Sequence, residues 1–242
     1  MKNYIHIIAL SWIISFWAGF AHALTAVNPG SEEGVFRQVL TDILETVPGD
    51  FVQANTPQAA SVYLGDDTLT VWASDWLANP EINSPEITAE NIVALMTYET
   101  ILCSRTATTI EELSGAKVAS WGSDSVQKYL NGLGISEIVP YSGSGSMTKG
   151  FVAGDADAIF TIQSRQAAIE EAGGKCFATS ADDTLTYRFV DAILLFGGDA
   201  EAVSTAIGNL VNTTWPDKFA GQVIYTEGDL KGMYDAAVEQ FK

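Results

Sequence analysis

The chain has 242 residues, 47% of them hydrophobic and 17% charged, enough for one large domain or two small ones with their own cores. It carries 30 acidic against 12 basic residues, a net charge of −18, and a surface of that sign disfavours nucleic acid and anionic lipid headgroups as partners. No low-complexity tract and no repeat period is present, which argues against disordered and solenoid classes.

The chain begins with one Lys within Met1 to His6, then an almost wholly apolar run from Ile7 to Phe20, then Ala21-His22-Ala23. A basic start, a short apolar stretch and a small-x-small site predict a secretory signal peptide over 1–23, and hence a periplasmic mature chain. The competing reading is an uncleaved anchor, because the apolar run approaches the lower limit of a bilayer span. A strand is then predicted over Leu24–Asn28, and Val35, Phe36, Val39, Leu40, Ile43 and Leu44 form a helical stripe. Thr68–Ala73 alternates as a strand, and Ile92–Leu95 and Thr100–Ser104 look like two more. Thr109-Ile110-Glu111-Glu112 fits a capping box for one short helix.

From Lys117 to Thr179 the pattern is most regular. Strands at Lys117–Trp121, Ile138–Tyr141, Ala158–Thr161 and Lys175–Thr179 alternate with helical stretches, the rhythm of βα units and a parallel sheet. The helix Ser125–Leu133 presents Val126, Leu130 and Leu133 on one face; Ser164 is suited to cap the next helix and Gly173-Gly174 to end it. A polar turn from Ser180 to Thr184 leads to a strand at Ile193–Phe196, a helix from Ala200 to Val211 and a last helix from Asp229 to Phe241. This order predicts an α/β protein of two lobes, one from 24–102 and 189–242 and the other, inserted, from 103–188. Two chain crossings, near Cys103 and Arg188, would form a hinge. A single doubly wound sheet is the alternative.

The two cysteines, Cys103 and Cys176, would meet an oxidising compartment that favours a disulfide; two buried free thiols is the other reading. Both histidines, His6 and His22, fall in the signal segment, so the mature chain has no imidazole for Ser-His-Asp or Cys-His catalysis or for a histidine metal site. No cofactor and no metal is expected. Gly143-Ser144-Gly145-Ser146-Met147-Thr148 lacks the third Gly of a dinucleotide fingerprint, and Lys149-Gly150 lacks the spacing of a P-loop. Glu32-Glu33 and Asp182-Asp183 read as helix-dipole partners or solvated charges rather than an acid/base pair.

Three Gly/Ser-rich turns fall where predicted strands give way to helices: Asn28-Pro29-Gly30-Ser31, Trp121-Gly122-Ser123-Asp124-Ser125 and Tyr141-Ser142-Gly143-Ser144-Gly145-Ser146. Open α/β sheets place ligands at the carboxyl ends of their strands, and the first N–H groups of each following helix are unpaired and partly positive. Small residues let a carboxylate reach those groups, so a protein poor in cations can still hold an anion. The plainer reading is that Gly and Ser serve only as turn and cap residues. Among the tryptophans, Trp72 reads as core, whereas Trp121 suits either core or a cleft wall. Arg105 and Arg188 suit hinge salt bridges better than ligand contacts.

The stretch from Ile138-Val139-Pro140-Tyr141-Ser142-Gly143-Ser144 through Phe151-Val152-Ala153-Gly154-Asp155-Ala156-Asp157-Ala158-Ile159-Phe160 resembles the second-lobe motif of the tripartite tricarboxylate transporter receptors. That family has a V-P-Y-x-G strand and turn, a short helix, then G-x-V-D and a strand. The similarity extends to Ile92–Leu95, Thr100–Cys103, Thr109–Leu113 and Cys176–Ser180. It implies a non-catalytic, monomeric, two-lobed periplasmic binding protein that takes a small organic acid or dicarboxylate and hands it to membrane subunits of a secondary transporter. Carried to matching positions, it implies ligand contacts at Asn28, Pro29, Gly30, Ser31 and Glu32, and at Ala73, Ser74 and Asp75. In the second lobe the matching positions are Ser120, Trp121, Gly122, Ser123 and Ser125, then Tyr141, Ser142, Gly143 and Ser144, with Asp157 and Thr161 at the two ends of a strand. The chain departs from the family in its length, in a shortened Asn55–Ala60 segment, and in Glu32-Glu33 where small residues are usual. A receptor for another solute, an extracytoplasmic sensor module and a His-free secreted enzyme are the competing readings.

Overall fold

A computed structural model describes residues 23–242; the expected signal peptide, with His6 and His22, lies outside the described residues except for Ala23. The chain opens with β1 (Leu24–Asn28), α1 (Val35–Leu44), β2 (Gly49–Gln53), α2 (Pro57–Ala60), β3 (Thr68–Ala73), α3 (Ser74–Ala78) and β4 (Ile92–Ser104). It continues through β5 (Val118–Trp121), α4 (Asp124–Gly132), β6 (Ile138–Tyr141), α5 (Ser144–Ala153), β7 (Ala158–Ile162), α6 (Gln166–Glu171) and β8 (Lys175–Thr179). It closes with β9 (Arg188–Phe196), α7 (Ala200–Thr213), α8 (Trp215–Lys218), β10 (Gln222–Tyr225) and α9 (Leu230–Glu239).

The strands follow the order β2-β1-β3-β9-β4-β7-β5-β6, with β8 and β10 also pairing β4. Parallel pairing is confined to the two outer groups, β2-β1-β3 and β7-β5-β6, while β4 and β9 run antiparallel between them. The two strands expected at Ile92–Leu95 and Thr100–Ser104 are one 13-residue strand. The polar Thr97-Tyr98-Glu99 between them reads as a break in the sequence but is the point where the strand changes partners. Residues Ile92–Glu99 pair with β9, and Leu95–Tyr98 also with β10, whereas Thr100–Ser104 pair with β7 and much of the same stretch with β8. A first half-sheet (β1, β2, β3, β9, β10) and a second (β5, β6, β7, β8) thus share one continuous strand.

Alternation of side chains gives each half-sheet two buried faces. On β9, Ile193 and Leu195 enter one cluster with Val39, Leu40 and Ile43 of α1 and Val203 and Ile207 of α7. Val190, Ala192 and Leu194 enter the opposite cluster with Trp72, Tyr234 and Val238, so Trp72 is core, as expected. In the second half-sheet, Phe160 and Val118 pack on Val126 and Leu130 of α4, while Ile159 and Ala119 pack on Met147 and Phe151 of α5. Asp42 of α1, buried in the first half, accepts a hydrogen bond from Trp215 Nε1 (2.9 Å) and is clamped by Lys218 Nζ at 2.6 and 2.8 Å.

Several local expectations are corrected. The capping box gives a single 3-10 turn over Glu111–Leu113, with Glu112 Oε2 accepting from the Thr108 N–H at 2.7 Å. Ser164 caps nothing, because a 3-10 turn over Gln163–Arg165 intervenes before α6. β2 and β10 escape prediction: both are short, and neither has a fully buried residue to mark it. Arg105 donates to the carbonyls of Ala156 (3.1 Å) and Phe151 and stacks on the Phe151 ring at 4.1 Å, which fastens the end of α5. Arg188 lies 3.9 Å from Glu99, an exposed ion pair.

Cys103 and Cys176 are neighbours across the antiparallel β4–β8 pair and are bonded, closing a sequence separation of 73 residues. A loop of that length is worth about 4 kcal/mol of chain entropy in the unfolded state. The double variant Cys103→Ser/Cys176→Ser is therefore expected to lower the unfolding free energy by about that amount; a urea titration showing a loss under about 1 kcal/mol would refute the assignment.

Candidate functional site

At the exit of β1, Asn28 is fully buried and shapes the turn that follows. Its Nδ2 donates to the Ser31 carbonyl (3.2 Å) and to Gln53 Oε1 (2.9 Å), and its Oδ1 accepts from the Gly30 N–H (3.0 Å). Gln53 in turn donates to the Gly30 carbonyl at 2.7 Å. The Asn28 amide is thus consumed inside the turn. Pro29 is buried, Gly30 is half-buried against Phe36, and Ser31 and Glu32 are exposed at the mouth. The N-cap of α1 is Gly34, with no side chain capping the free N–H groups.

The exit of β3 carries Ala73, Ser74 and Asp75, all buried. Ser74 Oγ accepts from the Val190 N–H at 3.4 Å, and Tyr234 Oη donates to the carbonyls of Trp72 and Ala73 at 3.2 Å, which fixes this turn against β9 and α9.

In the second half-sheet, Ser120 of β5 and Thr161 of β7 are fully buried, and neither hydroxyl has a hydrogen-bond partner. Trp121 is half-buried, its ring edge-on to Phe160 (5.9 Å) and Phe189 (4.7 Å). Gly122 is exposed beside Pro140, and Ser123 and Ser125 stand half-buried at the start of α4, their hydroxyls 3.3 Å apart. At the exit of β6, Ser142 is exposed while Gly143 and Ser144 are half-buried. Tyr141 lies back along α5, its ring filling the space where a side chain at Gly150 would stand, so its hydroxyl points away from the turn it belongs to. Neither α4 nor α5 has a side-chain cap. Asp157 stands apart from all of these. It is exposed at the amino end of β7, where its Oδ2 accepts from the Lys117 N–H at 3.0 Å, the opposite end of the strand from Thr161.

Arg165 was not predicted. It follows β7 directly, and its Nε donates to Ser144 Oγ at 3.4 Å, which puts a guanidinium on the first turn of α5. Its position just after a strand exit is the signal that would have found it. A groove of about 390 Å³ runs from Arg165 along the exposed side of α5, past Gly145, Thr148, Lys149 and Val152.

The turns of the two halves meet. The Asp75 carboxyl is pushed up to about 6 by burial, with hydrogen bonding to Ser123 of the second half opposing the rise. Asp191, opposite Ala73 on β9, is pushed up to about 8, again by burial first; Tyr98 opposes the rise and Asp75 adds to it. A lone acid inside the apolar run Phe189-Val190-Asp191-Ala192-Ile193 was the signal for this residue. Among the described residues no cluster of metal-ligating side chains occurs, and no helix is long and apolar enough to cross a membrane.

No protein-family model matches the sequence, and no curated protein does. Solved structures do match. MatC from Rhodopseudomonas palustris with bound malate superposes with a TM-score of 0.65 at 14% identity, over 90% of this chain and 97% of that one. A second R. palustris protein, with adipate, gives 0.65 at 13% identity over 90% and 94%. The periplasmic binding protein BugD gives 0.63 at 11% identity over 90% and 94%. The fold is that of a periplasmic binding protein. Between the half-sheets, Asp75 hydrogen-bonds with Ser123 and Trp121 packs on Phe189, so the exits of β3 and β5 lie together beside β9.

Both raised acids bind protons more tightly folded than unfolded, where an aspartate titrates near 3.8. Their contribution to stability is therefore full below about pH 4 and is lost as pH rises through about 6 and then about 8. Asp191→Asn is expected to flatten this decline and to raise Tm at pH 8 by about 5 °C. Equal pH slopes for the variant and the parent in calorimetry would contradict the burial of an acid at this position.

Proposed function

We propose that the protein is a non-catalytic periplasmic receptor of the tripartite tricarboxylate transporter type, which captures a small carboxylate between two lobes. The lobes are residues 24–102 with 189–242, and residues 103–188; the change of partners along β4 at Glu99–Thr100 supports a first crossing there. The observation that carries the reading is the state of three helix starts. α2, α7 and α9 are capped by Thr56, Asp199 and Asp229, whose side chains accept from the N–H groups of Ala59, Ala202 and Gly232, and α3, α6 and α8 are not capped. α1, α4 and α5, whose first turns follow the exits of β1, β5 and β6, have no side-chain cap. Their N–H groups remain free for an anion.

The charges near each turn sort them. Asp75 beside Ser123 opposes a carboxylate at the α4 turn, whereas Arg165 on Ser144 favours one at the α5 turn. A carboxylate held by Arg165 and the first amides of α5, with the other end of the ligand toward the Gly30–Gly34 turn, agrees with this distribution. The malate and adipate of the two Rhodopseudomonas structures support a dicarboxylate of that span. Delivery to the membrane subunits of a secondary transporter completes the reading, with the receptor acting as a monomer.

A panel of malate, succinate and adipate tests it by thermal shift. A ligand at about a hundred times its Kd stabilises by about 2.7 kcal/mol, a rise of about 5–10 °C for a chain of this size. Arg165→Ala is expected to remove about 2 kcal/mol of that affinity, roughly thirtyfold in Kd, by isothermal titration. No shift with any organic acid would refute carboxylate capture, and an unchanged Kd in the variant would refute the role of Arg165.

A further inference from the structure

The seam between the halves buries two acids that no anion site uses. Asp75 is 8% exposed and Asp191 5%, and they sit on adjacent strands or just beyond them, Asp191 opposite Ala73. Around them stand Tyr98 of β4, Tyr187 just before β9, and Tyr234 of α9. The hydroxyls of Tyr98 and Tyr187 are buried, and that of Tyr98 faces Asp191. Beyond the two acids, Asp235 acts on Tyr234 and Tyr129 on Tyr187. Among the described residues, none of the groups that shift either acid is a cation. Arg188, the nearest basic residue along β9, is engaged by Glu99.

The cover over this pocket of acids comes from the second half. Ser123 reaches Asp75, and Trp121 packs on Phe189, two residues from Asp191. Tyr187 lies tilted against Tyr129 of α4 at 4.4 Å and meets Phe241, just after α9, edge-on at 5.1 Å. A buried carboxyl without a counter-charge is tolerated when neutral and strongly disfavoured when ionised, because ionisation there forfeits hydration. Parting the halves withdraws Ser123 and Trp121 and readmits water to both acids.

We propose that Asp75 and Asp191 form a proton-sensitive latch, which holds the two halves together while both carboxyls are protonated and releases them as the pair ionises. The proposal rests on the two-lobed reading but requires no particular ligand. Its sign follows from linkage. The closed form binds protons more tightly than the open form, in which the acids return toward ordinary carboxylate behaviour, so rising pH favours opening. Burial raises the two acids to about 6 and about 8 in the closed form, which sets the window over which the change occurs.

Small-angle scattering of the ligand-free mature protein, followed from about pH 5 to about pH 9, reads the latch directly. The radius of gyration is expected to grow with a midpoint between pH 6 and 8 while far-UV dichroism stays constant, and Asp75→Asn/Asp191→Asn is expected to stay compact throughout. A pH-independent radius in the parent protein overturns the latch by itself, whether or not the variants fold. An expansion that the double variant, or Asp191→Asn alone where the double variant is unfolded, reproduces in full overturns it as well. These outcomes are separate from carboxylate capture, which fails or stands on the thermal-shift panel alone.

Discussion

Strand β4 is hydrogen-bonded in both half-sheets, and the two halves are arranged about it. Before Glu99 it lies between β9 and β10; after Thr100 it lies between β7 and β8. A single extended segment therefore sets the register of both halves, and the disulfide from Cys103 to Cys176 fastens its distal end. The return path, from Thr179 to Arg188, crosses beside it and presents Tyr187 and Phe189 to the seam. A relative motion of the halves would have to bend about these two strands of chain, because sliding would break two ladders at once.

For the carboxylate proposed as ligand, the acidity of the protein is no obstacle. Net charge acts at long range and is screened within about 8 Å at physiological salt, whereas a bound carboxylate responds to the dipoles it touches. Side-chain carboxylates do cap helices in this chain, as Asp199 and Asp229 do, so the chain has ready means to close off an amino terminus. At α1, α4 and α5 it does not. The buried acids at the seam add a constraint. On the proposed reading they disfavour an anion beside Asp75 and leave the α5 turn, with Arg165, as the electropositive end of the seam.

Much of the architecture was legible in the sequence, because the outer strands are short apolar runs and the helices carry one apolar stripe each. β1, α1, β3, β6 and α7 fall at or within a few residues of their expected places. What escaped was context. Thr97-Tyr98-Glu99 looks like a loop until β9 and β10 are seen on either side of it, and β2 and β10 have no fully buried residue to mark them. In the site, the turns were legible as Gly/Ser clusters after strands, but the direction of single side chains was not. Asn28 spends its amide on its own turn, Tyr141 folds back over Gly150, and Asp157 belongs to the far end of its strand. Arg165 and Asp191 matter only through neighbours remote in sequence, Ser144 and Ala73, which no local pattern reveals.

Identity of 11–14% with structures that share 90% of the chain's course is what this division of labour would produce. A fold is specified by which positions are apolar and where the chain must turn, and many residues satisfy either demand. Main-chain amides at a helix start are supplied by the fold itself and do not depend on which residue carries them, so an anion site built on them can persist while nearly every side chain changes. Side chains at the seam are then free to diverge. In this chain Asp75, Asp191 and three tyrosines use that freedom, buried near one another.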